Sequence, residues 1–316
     1  MSSTLTAATQ PVAVQHEITI AAPPAAVYEI IRDVAAWPLH FAPTVHAERV
    51  FGDDRAERIR IWATANGEIK TWTSWRTLDP EAFRITFRQE VSQPPVASMG
   101  GAWQLSELPG GGTLVTLTHD FRAVGDDPGG IEWITAAVDR NSTQELAGLK
   151  ATVENAGPEA FTFEDSLYID GGVADVYDFL YQAARWPDRL PHVARMRVTE
   201  NTPNLQLMEM DTSTRDGSVH TTTSVRVCFP PDRIVYKQIA TPALMTLHTG
   251  EWVLTPTGAG VTATSRHTVR IKAEAVEAVL GQGATVDDAR AYIRKALGTN
   301  SSATLSHAKE YAEGLG

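Results

Sequence analysis

One strand in the first half of this chain carries an arginine among tryptophans. In the segment Trp72-Thr-Ser-Trp-Arg76, alternation along the strand places Trp72, Ser74 and Arg76 on one face. If this face points into a cavity, a permanently charged guanidinium lies beside an indole ring. Such a pair can hold ligand oxygen atoms and stabilise a negative charge that develops on them. The alternative is an arginine that faces solvent or makes a structural ion pair.

The matching strand of the second half is more polar. One face of this strand carries His220, Thr222, Ser224 and Arg226, and the other carries Val225 and Val227. With the polar face inward, a second cavity has hydroxyl, imidazole and guanidinium groups, which assist proton transfer and bind oxygen atoms. We therefore predict Arg76, Arg226, His220 and Ser224 as catalytic residues, and Ser74 and Thr222 as binding residues. The alternative turns the valines into the core and the polar side chains towards solvent.

These two strands belong to a duplication that runs through the whole chain. The repeated motifs lie 149 residues apart (176 − 27 = 149) and are Val27-Tyr28 and Val176-Tyr177, Trp37-Pro38 and Trp186-Pro187, and Gly101-x-Trp103 and Gly250-x-Trp252. A single offset that spans helices, turns and strands indicates two copies of one domain. We expect a leader at residues 1–12 and domains at 13–156 and 157–316, and hence two similar cavities.

Aromatic and imidazole side chains are the candidates for the cavity walls. The candidates for substrate binding are Trp37, Trp62, Trp72, Trp103, Trp186, His192 and Trp252. Flat indole rings can pack against a flat ligand, although large aromatic residues also simply fill cores. His119 and His267 match between the halves on a late strand, and either imidazole can shuttle protons or serve a structural role.

Each half has the same predicted order of elements. A strand comes first, and a short amphipathic helix follows, in which Val27, Ile30, Ile31 and Val34 recur at helical spacing. Further strands come next, with a hairpin turn at Gly110-Gly-Gly112 in the first half. A long helix ends each half, at about 131–154 and about 286–311, and Gly298 is a candidate point of interruption in the second. An antiparallel sheet that curls around one long helix is an α+β architecture, and it encloses a cavity suited to a small molecule.

The composition limits the classes of function. The 316 residues suffice for two domains of roughly 150 residues. A formal net charge of −11 argues against binding to nucleic acid or to an acidic membrane surface. The only cysteine, Cys228, leaves no basis for a disulfide or a cysteine-based zinc site, and no metal site is predicted. The leader lacks the features of a signal peptide, so we expect it to be disordered and the protein to be cytoplasmic.

This order of elements resembles the helix-grip fold of the START, polyketide-cyclase and Bet v 1-like superfamily. The set formed by Trp37-Pro38, Trp72-x-Ser-x-Arg76 and Trp103 is similar to that of the single-domain aromatase/cyclases of bacterial type II polyketide synthases. Two such domains in one chain resemble the di-domain aromatase/cyclases. One departure concerns a tyrosine that the single-domain enzymes carry after the Trp-Pro turn, because the matching positions here fall near Thr44 and Val193.

The resemblance implies two tandem helix-grip domains that act on a ketoreduced poly-β-ketone. The substrate is implied to be tethered through phosphopantetheine to an acyl carrier protein, with other synthase components as further partners. The implied reaction is first-ring closure of the C7–C12 type, followed by dehydration and aromatisation in antibiotic biosynthesis. This chemistry needs a shaped pocket, a group that stabilises an enolate and a general acid, and no cofactor.

Three alternatives remain open at this stage. The same fold supports a non-catalytic carrier of a hydrophobic small molecule. Within the enzymes, one half can be catalytic and the other structural, or the protein can fold the polyketide while water does the chemistry. Docking of an acidic carrier protein to this acidic chain needs a local basic patch, and the candidate cluster is Arg49, Arg55, Arg58 and Arg60. Its alternative is a solvated strand-and-turn face, because Asp53, Asp54 and Glu57 lie among these arginines.

Overall fold

The computed structural model describes residues 10–154, 158–213 and 219–314. The chain divides into two compact units, residues 1–156 and 157–316. Residues 1–9 of the expected leader and residues 155–157 of the expected joint lie outside the described residues. The first strand begins at Val12, within the segment that we expected to be leader.

The first unit contains seven strands and three α-helices among its described residues. Its strands are β1 Val12–Ile20, β2 Thr44–Gly52, β3 Ala56–Ala65, β4 Glu68–Asp79, β5 Arg84–Val91, β6 Val96–Glu107 and β7 Thr113–Ala123, and its helices are α1 Pro24–Arg32, α2 Trp37–His40 and α3 Pro128–Val153. The strands form one antiparallel sheet in the order β1-β7-β6-β5-β4-β3-β2.

The second unit repeats this plan within its own described residues. Its strands are β8 Phe161–Ile169, β9 Val193–Thr202, β10 Leu205–Ser213, β11 Val219–Phe229, β12 Arg233–Ala240, β13 Met245–Thr257 and β14 Gly260–Ile271, and its helices are α4 Val173–Tyr181, α5 Trp186–Arg189, α6 Val276–Leu280 and α7 Val286–Glu313. The sheet order is β8-β14-β13-β12-β11-β10-β9. The α+β helix-grip prediction is therefore confirmed.

Our sequence reasoning did not identify the two edge strands as separate elements. These are β2 and β9, which end their sheets on one side. The second half of β2 is largely exposed, and most residues of β9 are exposed or half-buried. The exposed half of β2 has little apolar alternation to detect, so its sequence looks like a loop. In β9, Met196 and Val198 alternate with arginines and pack on the core, a strand signal that we did not use.

The two long helices begin at clear capping signals. The side chain of Asp127 accepts a hydrogen bond from the Gly130 N–H at the start of α3, and Thr285 and Asp288 form a reciprocal capping box on α7. We expected a possible break near Gly298, but α7 is continuous there. A Cβ at Gly298 would lie 2.1 Å from the Arg294 guanidinium, which pairs with Asp165 of β8. This glycine therefore makes room for an ion pair.

The glycine of the repeated Gly-x-Trp motif leaves room for side-chain rings of the two neighbouring strands to approach each other. Gly101 on β6 pairs in register with Phe87 on β5 and His119 on β7. A Cβ at Gly101 would lie 2.8 Å from the Phe87 ring and 1.8 Å from the carbonyl oxygen of Thr118. With glycine there, the Phe87 and His119 rings approach to a centroid distance of 5.4 Å. The motif thus positions two rings against the cavity.

The polar face of β11 points into the unit, as the duplication suggested. Arg226 and Cys228 lie on the face towards the core of the unit, whereas Val225 and Val227 lie on the other face, and all four are buried. Among the described residues, no helix is long and apolar enough to cross a membrane.

Candidate active site

The sheet and the long helix of the first unit enclose a cavity with two adjoining chambers. The chambers measure about 80 and 110 Å³. Five side chains line both of them, namely Trp72, Gln89, Met99, His119 and Glu145. The inner chamber also contains the predicted site residues Trp37, Ser74, Arg76 and Trp103. The structure therefore brings together five of the residues that we predicted from the first half.

Arg76 lies at the inner end of this cavity, where it also holds the end of helix α1. Its terminal nitrogen atoms donate to the carbonyl oxygens of Ile31 and Arg32, at 3.1 and 3.3 Å. These carbonyls belong to the last turn of α1, which has no intrahelical donors for them. The guanidinium also stacks over the Trp37 ring at 5.2 Å, and its Nε lies 3.2 Å from the Glu57 carboxylate.

Burial and charge act in opposite directions on Arg76. Burial lowers the pKa of its guanidinium to about 10, and the neighbouring Glu57 opposes that shift. The side chain therefore remains a cation at neutral pH. Two backbone carbonyls of α1 and the Glu57 carboxylate bind this guanidinium within the protein. Arg76 is therefore a structural residue as well as a source of positive charge at the cavity wall.

Arg226 repeats this arrangement in the second unit, without the carboxylate. It donates to the carbonyl oxygen of Leu180 at 2.7 Å, near the end of α4, and it lies over the Trp186 ring at 5.5 Å. Its register partner on β10 is Gln206, at the position that Glu57 occupies in the first unit. Burial lowers the pKa of Arg226 as well. In each unit, the tryptophan of the Trp-Pro motif and the strand arginine thus pack together, and the arginine binds the end of the first helix.

Glu145 is a functional candidate that our sequence reasoning missed. This side chain of α3 lines both chambers, and burial alone raises the pKa of its carboxyl to about 8. The carboxylic acid form therefore predominates at neutral pH, which suits a general acid. A signal was present in the sequence, because Glu145 falls between Ser142, Leu146 and Leu149 on the buried stripe of α3.

His119 lies at the boundary between the two chambers. Burial lowers the pKa of its imidazole to about 4, so the ring is neutral at physiological pH. Within the described part of the chain, its Nδ1 is a buried atom that has no hydrogen-bond partner. A neutral ring nitrogen of this kind can accept a proton or a hydrogen bond from a bound molecule.

The second unit encloses one matching cavity of about 120 Å³. Five predicted site residues line it, namely Trp186, His192, Ser224, Arg226 and Trp252. Further polar side chains that we had not predicted from the sequence also line it, and these are Tyr236, Gln238, His248, Asn300, Ser301 and Thr304. His267, whose match with His119 the sequence showed, lies here too.

Three predicted site residues do not line either cavity. Trp62 is buried on the opposite face of β3 from Ile61 and Ala63, and its ring packs against His46 and beneath Arg60. His220 has the expected parity on β11 but lies near the start of the strand, where it is exposed. Thr222 is buried on the inward face but is not part of the cavity wall. The structure therefore places Trp62, His220 and Thr222 outside the walls of the two cavities.

A surface depression larger than these cavities is a different feature. It is an open groove of about 490 Å³ beside the end of α1, and it is lined by charged side chains such as Glu29, Asp33 and Asp53. It has neither the aromatic walls nor the buried imidazole of the cavities. We therefore place the chemistry in the two smaller, enclosed spaces.

The expected basic cluster is largely neutralised within the first unit. Arg55 pairs with Glu81 at 3.1 Å, and Arg58 pairs with Glu90 at 2.6 Å. Arg60 lies over the Trp62 ring at 4.7 Å, and Arg49 borders the charged groove. The alternative that we considered, a solvated strand-and-turn face, describes the two ion-paired arginines, Arg55 and Arg58, better than a free basic patch does.

Comparison with known proteins decides the family. The family model described as "Polyketide cyclase / dehydrase and lipid transport" matches residues 11–154, and a second model with the same description matches residues 169–292. The chain belongs to the polyketide cyclase/dehydrase family. Both copies of the duplication are therefore domains of that family, and the chain is a cyclase and dehydratase of polyketide biosynthesis.

Two curated relatives of this family member extend over nearly all of the chain. It is 46% identical over 303 residues to the granaticin polyketide synthase bifunctional cyclase/dehydratase of Streptomyces violaceoruber, covering 95% of this chain and 94% of the relative. It is also 46% identical over 308 residues to the actinorhodin polyketide synthase bifunctional cyclase/dehydratase of Streptomyces coelicolor, covering 93% and 95%.

Two solved structures have the same two-domain organisation as this family member. The di-domain aromatase/cyclase BexL of the BE-7585A biosynthetic pathway is 53% identical, with a TM-score of 0.84 and coverage of 96% of this chain and 99% of BexL. The di-domain aromatase/cyclase StfQ of the steffimycin pathway is 38% identical, with a TM-score of 0.81 and coverage of 95% and 98%. The recognition of a di-domain aromatase/cyclase from the repeated motifs is confirmed.

Proposed function

We propose that this cyclase/dehydratase closes the first ring of a ketoreduced poly-β-ketone, in a C7–C12 aldol reaction followed by dehydration and aromatisation. The substrate would be held by an acyl carrier protein through phosphopantetheine. The observation that carries the proposal is the grouping of a neutral acid, a neutral imidazole and a buried cation in one aromatic-walled cavity. Those groups are Glu145, His119 and Arg76.

The ring-closing step uses each of these groups once. His119 takes a proton from the nucleophilic methylene, and the carbanion attacks a ketone carbon. Glu145 gives its proton to that ketone oxygen, which becomes a hydroxyl. The positive charge of Arg76 at the inner wall stabilises the enolate while it exists. The indole rings of Trp72 and Trp103 hold the folded chain so that the two carbons meet.

Dehydration restores the same groups to their starting states. The Glu145 carboxylate takes a second methylene proton, and the electron pair of that C–H bond forms the double bond. The imidazolium of His119 gives its proton to the hydroxyl, which leaves as water. No redox reagent enters either step, and both side chains finish as they began.

Cavity size supports a division between the reacting ring and the rest of the chain. Engineered protein cavities on the order of 150 Å³ hold one benzene molecule. The chambers of about 80 and 110 Å³ in the first unit together match one ring of a product rather than a whole polyketide. The remaining chain and its tether would extend through the outer chamber, which carries Lys70, Thr71 and Asn141.

Reconstitution with a minimal synthase and a ketoreductase tests the proposal. We expect the wild-type chain to shift the products to a C7–C12 aromatic ring, and Glu145→Gln to lower the rate of this shift about 100-fold. Glu132→Gln is the matched control, because Glu132 lies exposed on the same helix. Unchanged products with folded Glu145→Gln would contradict the role of Glu145. A hydrophobic-ligand carrier predicts that neither substitution alters the products.

A further inference from the structure

A row of three residues crosses the sheet of the second unit at its cavity. Tyr236 on β12 pairs in register with Gly250 on β13, and Gly250 pairs with His267 on β14. Because Gly250 has no side chain, the rings on either side of it meet. The Tyr236 hydroxyl lies 2.8 Å from His267 Nδ1.

Two further side chains complete a connected polar network. His248 Nε2 lies 3.1 Å from the same His267 Nδ1, and Ser265 Oγ lies 3.1 Å from His267 Nε2. His248, His267 and Ser265 are 3%, 4% and 0% exposed. Tyr236, His248 and His267 all line the cavity. A buried polar network of this kind holds its members in fixed positions, and three of them form part of the cavity wall.

The first unit lacks this network at the equivalent positions. Phe87, Met99 and Leu117 occupy the places of Tyr236, His248 and Ser265, and His119 occupies that of His267. The acid is distributed in the opposite way. Glu145 in the first cavity corresponds to Thr304 in the second. One cavity therefore has a carboxylic acid without the network, and the other has the network without the acid.

His248 provides an independent indication that the cavity binds a ligand. Among the described residues, its Nδ1 is a buried nitrogen that has no hydrogen-bond partner. His248 is only 3% exposed, and it lines the cavity. A buried polar atom without a partner is costly, and a bound molecule that supplies one would relieve that cost. The unpartnered atom and the Tyr236 hydroxyl belong to the same cavity.

The shared nitrogen of His267 allows two proton arrangements. When Nδ1 has no hydrogen, it accepts from the Tyr236 hydroxyl or from His248 Nε2. When His248 donates to it, the Tyr236 proton is free to point towards a bound molecule, and His248 Nδ1 is then an acceptor. Burial keeps both rings neutral, since it lowers the pKa of His248 to about 3 and of His267 to about 4.

We propose that the second cavity is itself a dehydration site, in which Tyr236 is the catalytic acid and His248 the catalytic base, with His267 as the positioning residue between them. The proposal rests on the function proposed above and assigns a separate step to the second unit. Its ligand class is a β-hydroxy ketone within an already cyclised polyketide. Arg226, at the wall of the same cavity, supplies positive charge near the ketone oxygen.

The step balances within these residues. The C–O bond of the substrate breaks, and its oxygen takes the Tyr236 proton and leaves as water. The neighbouring C–H bond supplies the electron pair of the new double bond, and its proton goes to His248 Nδ1. The Nε2 proton of His248 passes to His267 Nδ1 and on to the Tyr236 oxygen. Tyr236 is restored, and His248 finishes in its other neutral tautomer.

The decisive experiment replaces Tyr236 by the residue of the first unit. In the reconstituted synthase with the full chain, we expect Tyr236→Phe to leave first-ring closure and the dehydration in the first cavity intact, and to slow the separate, second loss of water about 100-fold. A cyclised product heavier by one water should accumulate. Tyr292→Phe is the matched control, because Tyr292 is 54% exposed. A folded Tyr236→Phe protein that dehydrates at the wild-type rate would overturn the proposal.

A second variant covers the case in which Tyr236→Phe fails to fold. Replacement of Tyr236 by 3-fluorotyrosine preserves the ring and hydroxyl but makes the phenol more acidic, so we expect an altered dehydration rate with an unchanged melting temperature. An unchanged rate would contradict the role of Tyr236. Failure of the underlying function looks different, because the wild-type chain itself would then leave the product profile of the synthase unchanged.

Discussion

The Tyr236 hydroxyl and His267 Nδ1 lie 2.8 Å apart across the bare backbone of Gly250. In the first unit, the same crossing joins Phe87 and His119 across Gly101, at a ring-centroid distance of 5.4 Å and without a hydroxyl. The duplicated glycine thus preserves a geometry, while the residue that uses it has changed chemistry. This relationship makes the two cavities alike in shape and different in the protons that they can move.

The first prediction concerns that glycine. A Cβ at Gly250 would lie 2.5 Å from the Tyr236 hydroxyl and 2.3 Å from the Arg266 carbonyl oxygen. Because the backbone cannot yield cheaply, we expect Gly250→Ala to lower the free energy of unfolding by about 1–3 kcal/mol and to displace Tyr236. Urea denaturation measures the first effect. Gly129→Ala is the control, since its Cβ would approach only the Asp127 side chain, at 3.3 Å.

The second prediction concerns the structural role of Arg76 in its buried ion pair with Glu57. Removing one partner of a buried ion pair leaves the other charge uncompensated, so we expect Arg76→Met to cost about 3–5 kcal/mol of stability. Glu57→Gln reproduces the Arg226 and Gln206 arrangement of the second unit and should cost less. Chemical denaturation of both single variants and the double variant gives the coupling energy. Independent, additive effects would show that Arg76 and Glu57 do not interact.

The third prediction follows from the raised pKa of Glu145. Its carboxyl pKa rises from 4.5 to about 8 on folding, so the folded state binds the proton more tightly than the unfolded state does. The contribution of this proton to stability is complete below about pH 4.5 and is lost as the pH rises through 8.

We expect Glu145→Gln to flatten this part of the stability profile. The wild-type slope between these pH values is at most about 1.4 kcal/mol per pH unit from this group. Denaturation curves across the range measure it, with Glu132→Gln as the exposed control on the same helix. Cyclase activity should also decline above about pH 8, as the acid ionises. Parallel profiles for the wild type and Glu145→Gln would contradict the buried acid.

The fourth prediction concerns acid stability. Burial lowers the pKa of His248 from 6.5 to about 3, so the unfolded state binds the proton more tightly. The contribution of the neutral ring to stability is complete above about pH 6.5 and decreases as the pH falls towards 3. We expect His248→Met, which restores the Met99 pattern, to reduce the acid sensitivity of the melting temperature. The exposed His220 serves as control, and His220→Gln should leave the profile unchanged.

Much of the fold was predictable because local sequence patterns indicate its strands, turns and helices. The central strands show apolar alternation, and the turn at Gly110-Gly-Gly112 and the long helix α3 carry clear signals. The edge strand β2 was missed because its exposed half lacks alternation. β9 was missed although Met196 and Val198 alternate with arginines. The break expected at Gly298 was wrong, because a close approach by Arg294 explains that glycine.

The site was predictable only in part. Alternation correctly placed Trp72, Ser74 and Arg76 on one face. The same rule applied to β3 puts Trp62 on the face opposite Ile61, and our prediction of Trp62 as a binding residue did not apply it. Alternation could not show that the Arg76 guanidinium caps α1, because Ile31 lies 45 residues away in the chain. Nor could it pair Tyr236 with His267, which are 31 residues apart.

The sequence by itself determined the duplication and the faces of the central strands, because repeats and periodicity are properties of the chain that do not depend on its folding. The resemblance of its motifs to known proteins indicated the helix-grip architecture and the family. Only the tertiary structure decided which side chains share a cavity, how deeply each is buried and which proton each retains. The physical reason is that pKa values and hydrogen bonds depend on neighbours and on exclusion of water. For this reason the acid Glu145 and the Tyr236 network became evident only once helix and sheet enclosed them.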